Sequence, residues 1–294
     1  MTADRSNSLS TDDQRRGRLL LILAAVFWSM SGLFLKSDPL AALPLADRGP
    51  ALACYRALFA ALGILPFVRW SRARWVWLLL PTIIAFTLMN ALVVTAFTRT
   101  TAAAAIFLQY TATVWAFLFG VLFLRERVDR PNLIALIFAL CGITWIVWSD
   151  WHGANFTGNL LALGSGLSFG AVILFLRALR NEESLWIIFL LHLVSGAVLL
   201  PWVLHRGVSL SALQWTLIAL MGMVQMGLPY VLFARGVRHV RIQEASLLLL
   251  LEPILNPIWV LIVWGEEVPA ATWIGGSLIV GGLALRYLVL PRKP

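Results

Sequence analysis

Hydrophobic positions in this chain fall in long runs of about twenty residues, cut by arginines, glycines and prolines. At 1.5 Å of rise per residue, such a run spans the roughly 30 Å hydrocarbon core of a bilayer as a helix. Ten spans are expected: Arg18–Lys36, Arg48–Arg69, Arg74–Phe97, Thr100–Leu124, Pro131–Trp148, Gly158–Arg177, Ser184–Leu204, Ser211–Ala234, Arg241–Trp264 and Pro269–Leu290. Only Thr98-Arg99-Thr100 separates the third span from the fourth. The ninth breaks its own apolar pattern, because Glu252-Pro253 and Asn256-Pro257 lie near its middle. A charge at that depth costs about 2.5–3.5 kcal/mol on insertion scales. Each proline also leaves a carbonyl one turn earlier without its donor, here Leu249 and Pro253. This helix therefore faces other helices or water rather than lipid.

An even number of spans puts both termini on one side, and basic residues indicate which side. With the tails inside, the inner segments carry Arg5, Arg15, Arg16 and Arg18, then Arg69, Arg72 and Arg74, then Arg125, Arg127 and Arg130. They continue with Arg177 and Arg180, then Arg235, Arg238 and Arg241, and finally Arg286, Arg292 and Lys293. The outer segments hold only Lys36, Arg48, Arg99 and Arg206. Both termini are thus expected in the cytoplasm. The polar start, with no small-residue cleavage site after the first span, reads as a tail ahead of a retained helix.

The pattern repeats at an offset of about 141 residues. Gly17 to Lys36 lies over Gly158 to Arg177, with Gly17, Leu19, Leu20, Phe34 and Leu35 matched by identical residues. Ala102 to Val128 likewise lies over the ninth span, placing Thr111 on Glu252 and, after a one-residue gap, Glu126 on Glu266. Each half holds an odd number of spans, so the halves enter the membrane in opposite directions. That is an inverted-topology repeat, the architecture of alternating access. The expected organisation is a tail at 1–17, a first repeat at 18–150, a second at 151–290 and a tail at 291–294. Gly164, Ser165, Gly166, Ser168 and Gly170, and then Gly275, Gly276, Gly281 and Gly282, mark places where helices approach closely. Tryptophans at span ends, such as Trp70, Trp75, Trp77, Trp148, Trp151 and Trp264, form an interfacial belt.

Composition narrows the class without changing this picture. Sixty per cent hydrophobic and 13% charged residues, with a mean hydropathy of +0.85, lie outside the range of soluble domains. The net charge of +9 comes from arginines scattered between spans, with no basic face for a nucleic acid. Cys54 and Cys141 both sit in apolar runs and build neither a disulfide framework nor a metal site. No phosphate loop, metal-ligand spacing or nucleophile set is present, so no cofactor and no catalysis are expected.

Polar residues inside the spans are few. Glu252, Asn256 and Trp259 share a helix face by their steps of four and three. They either satisfy carbonyls freed by the prolines or touch a substrate. Gln109 needs a partner away from lipid, whereas Thr111 and Thr113 have a ready one in their own helix carbonyls. Asn90 and Gln225 either join helices or line a cavity. Arg56 lies about two turns inside the outer end of its span, where it would snorkel outward in a structural or gating role. His192 reads as a satisfied packing histidine, and Glu126, Glu244 and Glu266 as solvated or capping groups at span ends.

Each repeat closes with an apolar run and then an acid, Phe123-Leu124-Arg125-Glu126-Arg127 and Trp264-Gly265-Glu266-Glu267. With Tyr110-Thr111-Ala112 and Leu251-Glu252-Pro253, the chain resembles paired EamA domains of the ten-helix branch of the drug/metabolite transporter superfamily. Within it the chain is most similar to YddG-type bacterial amino-acid exporters. That resemblance implies a central cavity lined by the first, third, fourth, sixth, eighth and ninth helices. It also implies export of amino acids, neutral or aromatic, across a bacterial inner membrane. The residues it places on those helices are Trp28, Asn90, Gln109, Trp115, Ser165, Gln225, Tyr230, Glu252 and Asn256. Export of amphipathic drugs or other metabolites stays open as an alternative, as does a membrane-embedded enzyme.

Overall fold

The computed structural model describes residues 11–125, 130–240 and 242–288. The expectations for Glu126, for Arg241 and for the tails beyond these ranges lie outside the described residues. Ten helical spans are present and no strand among the described residues. They are α1, in two pieces (Thr11–Ser29 and Ser31–Leu35), α2 (Leu45–Ile64), α3 (Leu79–Phe97) and α4, in two pieces (Ala102–Gln109 and Ala112–Leu124). Next come α5 (Arg130–Ser149), α6 (Phe156–Ala178) and α7 (Ser184–His205). The last three are α8 (Ala212–Gly236, with a π-helical stretch at Met221–Gly227), α9, in two pieces (Ile242–Leu249 and Leu251–Trp264), and α10 (Ala270–Leu288). Eight are long and apolar enough to cross a membrane, and α5 and α10 contribute the shorter apolar stretches Leu133–Ser149 and Ala270–Leu285.

Local chemistry explains the breaks that hydropathy alone does not show. In α9, Pro253 has no N–H for Leu249, and Leu250 donates instead to Leu247 at 3.0 Å. Nothing of the kind interrupts α4. There the Thr111 hydroxyl donates to the Leu108 carbonyl at 2.6 Å, while the Thr111 N–H bonds that same residue three positions back. Ser29 acts alike in α1, donating to Val26 at 2.7 Å just before the break at Met30. The helix α1 also begins earlier than expected, because Thr11–Gly17 carries Asp12 and Asp13 in a first turn that favours acids.

The face at which α1 begins is called the near face, and the other the far face. Polar contacts fix the alternation. On the far face Arg206, ending α7, pairs with Asp47, starting α2, at 2.8 Å. Gln214, starting α8, donates to Pro39 between α1 and α2 at 2.7 Å. On the near face Trp186, starting α7, donates to Arg74 between α2 and α3 at 3.0 Å. The helix α6 therefore starts on the face opposite to α1, as an inverted repeat of five-helix halves requires. Packing obeys the same exchange. The helix α1 packs on α8 and α9, and its counterpart α6 packs on α3 and α4. In turn α2 packs on α7, and α5 on α10. The last pair crosses closely, since a Cβ on Gly142 would lie 2.4 Å from the Gly275 carbonyl. Gly276 is also tightly packed, against Phe107, whereas Gly281 meets nothing within 4 Å.

Candidate functional site

The two mid-repeat breaks meet. Tyr110, at the break in α4, reaches across to α9, where its hydroxyl lies 3.0 Å from the Leu249 carbonyl and 2.7 Å from Glu252 Oε2. The carbonyl that Pro253 frees is thus matched by a side chain from the other repeat, and not by Glu252. The phenol has one hydrogen and two acceptors in reach. With an ionised carboxyl it serves one of them. With a protonated carboxyl, Glu252 donates to the phenol oxygen and the phenol donates to Leu249. The cluster accommodates either state without a large movement.

The rest of the polar face of α9 braces α1. Asn256 is fully buried and donates to Ser31 Oγ at 2.8 Å. Trp259 Nε1 donates to Ser29 Oγ at 2.9 Å, and Trp264 Nε1 to the Leu33 carbonyl at 2.8 Å. Ser29 and Ser31 flank the break at Met30, so the interrupted part of α1 is held by α9. Gly32 makes this approach possible, because a Cβ there would stand 2.7 Å from Asn256 Oδ1.

The nine residues singled out by sequence divide into two groups. Trp28, Gln109, Trp115, Tyr230 and Glu252, on α1, α4, α8 and α9, are partly exposed. Trp28 stacks edge-on against Tyr230 with ring centroids 5.0 Å apart. Gln109 Nε2 reaches Met89 Sδ at 3.5 Å, and Trp115 Nε1 donates to Thr111 Oγ1 at 3.2 Å. Asn90, Ser165, Gln225 and Asn256 are buried instead. Ser165 bonds back to Ala162 in its own helix at 2.9 Å. Gln225, turned by the π-helical stretch, donates to the Trp28 carbonyl at 3.1 Å, while its Oε1 has no partner. Asn90 Nδ2 lies 3.1 Å from both the Ala53 carbonyl and Ser195 Oγ. Its Oδ1 accepts from Arg56 Nη2 at 2.7 Å.

Two residues gain a place that the sequence reading did not give them. Tyr110 is not among the nine, although its position in the repeat, beside the Thr111 that lies over Glu252, is the sequence signal that points to it. Arg56 does not snorkel: it is 4% exposed and turned inward to Asn90. His192 is satisfied as expected, with Nδ1 2.9 Å from the Ile188 carbonyl, and it lies edge-on to Tyr230 at 5.2 Å.

At the ends of the spans the two acids that fall within the described residues also join the halves. Glu244 pairs with Arg18 on the near face. On the far face Glu266 pairs with Lys36 at 2.6 Å and accepts from the Ala102 N–H, at the start of α4, at 2.7 Å. Lys36 also donates to the Thr100 carbonyl at 2.6 Å. Thr100 continues to Asn159 at 2.7 Å, so α1, α4, α6 and α9 meet at the far face. Among the described residues no group of His, Cys, Asp and Glu is placed to hold a metal ion.

A multi-pass membrane protein of two inverted five-helix repeats, with a carboxylate and aromatics where the repeats meet, has the architecture of a small-molecule transporter. The chain belongs to the EamA-like transporter family, whose model matches it twice, at residues 15–148 and 156–288. An uncharacterized transporter of Archaeoglobus fulgidus is 29% identical over 274 residues, covering 93% of this chain and 97% of the relative. The uncharacterized transporter YwfM of Bacillus subtilis is 27% identical over 293 residues, covering 94% of each. A crystal structure with 18% identity shares the fold, with a TM-score of 0.67 over 95% of this chain and all of the other.

Proposed function

We propose that this transporter exports neutral amino acids, aromatic ones among them, across a bacterial inner membrane with both termini in the cytoplasm. The observation that carries this reading is the Tyr110–Glu252 cluster at the junction of the two helix breaks. Counted from the start of its span, Glu252 stands about 16 Å deep, near mid-bilayer. No ion pair neutralises it among the described residues. An amino acid's ammonium supplies the missing charge, and Gln109 a neutral hydrogen bond. Trp28, Trp115 and Tyr230 give apolar area to a side chain. Rocking of the halves about this point opens it to each side in turn.

The test is a competition panel in proteoliposomes with a labelled neutral amino acid in counterflow. Competition by other neutral and aromatic amino acids supports the reading. Competition by cationic dyes with none by amino acids replaces it with drug export, and absence of flux for every metabolite tried removes the transport of small molecules as a function.

A further inference from the structure

Among the described residues Arg56 is a buried cation without an anion. It lies in the middle third of α2, 4% exposed, where a guanidinium is as costly to bury as the Glu252 carboxyl. Its one hydrogen-bond partner among the described residues is the neutral Asn90 Oδ1. A guanidinium offers five N–H donors in a planar fork that fits a carboxylate in two places, so most of its capacity is unused. The Asn90 amide is held from behind, because the Ala53 carbonyl and Ser195 Oγ fix its nitrogen side. Asn90 therefore aims the guanidinium rather than neutralising it.

Among the described residues, the groups that meet Arg56 supply no carboxylate. From α3 comes Asn90, from α7 His192 and Ser195, and from α8 Tyr230. The Arg18–Glu244, Lys36–Glu266 and Arg206–Asp47 pairs lie at the ends of the spans. The Tyr230 phenol lies within electrostatic reach of both Arg56 and Glu252, while no ion pair joins those two charges to each other. One buried positive and one part-buried negative group thus lie near the same phenol, each lacking a counter-charge among the described residues.

We propose that Arg56 binds the carboxylate of the transported molecule while Glu252 binds its ammonium, so that the site selects zwitterions by both ends. This inference rests on the reading of the protein as an amino-acid exporter and narrows it: neither an amine without a carboxylate nor an acid without an amine fills the site. Asn90 is a positioning residue for Arg56, and Tyr230, edge-on to Trp28, packs the substrate's apolar part.

Binding to purified protein and flux in proteoliposomes are measured for phenylalanine, phenylalaninamide and N-acetylphenylalanine. The wild type should prefer phenylalanine over either analogue by about tenfold to a hundredfold, the worth of a charge-assisted hydrogen bond. In Arg56→Gln the preference over the amide should fall to near one while the preference over the N-acetyl compound persists. Glu252→Gln should show the opposite pattern, and Arg56→Lys should restore part of the first preference. Because each readout is a ratio within one preparation, altered expression does not imitate it. If Arg56→Gln loses phenylalanine and the amide by the same factor, or loses all binding, Arg56 is a structural residue and the inference fails. If the wild type moves all three compounds alike, amino-acid export stands and two-ended recognition falls. If it moves none of them, the reading beneath the inference falls as well.

Discussion

Glu252 and Asn256 sit one turn apart on α9, yet their surroundings assign them different work. Glu252 is partly exposed and meets one side chain, the Tyr110 phenol. Asn256 is fully buried, tied to Ser31 and pressed against Gly32. Glutamine at 252 keeps the size of the side chain and still accepts from Tyr110, but it removes the charge. Glu252→Gln should therefore fold and express normally while its flux falls at least about tenfold, the scale of one lost charge-assisted bond. Near-normal flux would leave Glu252 a structural acid. Asn256→Ala should act mainly on stability, because it strips Ser31 of its donor and opens a cavity in the α1–α9 seam. A cost of about 1–3 kcal/mol is expected, read as a lower melting temperature in detergent, with a milder loss of flux. Tyr110→Phe removes the donor from both the freed Leu249 carbonyl and Glu252, so it should lower the melting temperature and the flux together. At this scale the sequence pointed to Glu252 because a carboxylate between prolines is conspicuous in an apolar run. It could not separate Asn256 from Glu252, since a shared helix face says nothing of which neighbour each residue meets.

Between elements, the parallel pair α1 and α9 is joined at both ends, by Arg18 and Glu244 on the near face and by Lys36 and Glu266 on the far face. The three side-chain bonds from Asn256, Trp259 and Trp264 lie between these ends. These contacts hold α1 against α9 along the pair in this state. The Lys36–Glu266 pair does more, because the same carboxylate accepts from the first turn of α4, where the helix dipole favours an anion. An exposed ion pair alone contributes little. This one is about one-fifth exposed on each side and sits within a network, so its loss should loosen the far face. Lys36→Met is expected to raise the maleimide labelling rate of a Ser37→Cys probe several-fold, in a background with Cys54 and Cys141 replaced. An unchanged rate would mean that the network is not a closure. Pro253 announced the break in α9 from the sequence. The break in α4 carries no proline and was legible only through the repeat, which sets Thr111 on Glu252. The π-helical stretch of α8 was not legible, because one extra residue per turn leaves the apolar pattern almost unchanged.

Across the whole molecule, the pairing of helices is unchanged when the two repeats exchange places: α1 with α8 and α9 answers α6 with α3 and α4. Both second pieces also end in a left-handed residue, Arg125 in α4 and Gly265 in α9, 140 positions apart against the repeat offset of about 141. The sequence showed this because apolar runs and their interruptions are one-dimensional features, preserved wherever the chain folds. Seams such as Gly142 against Gly275 depend on which helices become neighbours, and no single run records that. Inversion makes the two faces equivalent in backbone but not in charge, since the near face carries Arg69, Arg72 and Arg74 while the far face carries Arg48 and Arg206 among few others. Because basic loops resist translocation, the near face should lie in the cytoplasm. Ser71→Cys, in the exposed α2–α3 connection, and Ser209→Cys, in the exposed α7–α8 connection, report opposite faces of one molecule. In intact cells a membrane-impermeant maleimide should label the cysteine at 209 and spare the one at 71 until the membrane is opened. The reverse result would turn the protein over. Equal labelling of both positions would show a mixed orientation, which the asymmetry of charge between the two faces argues against.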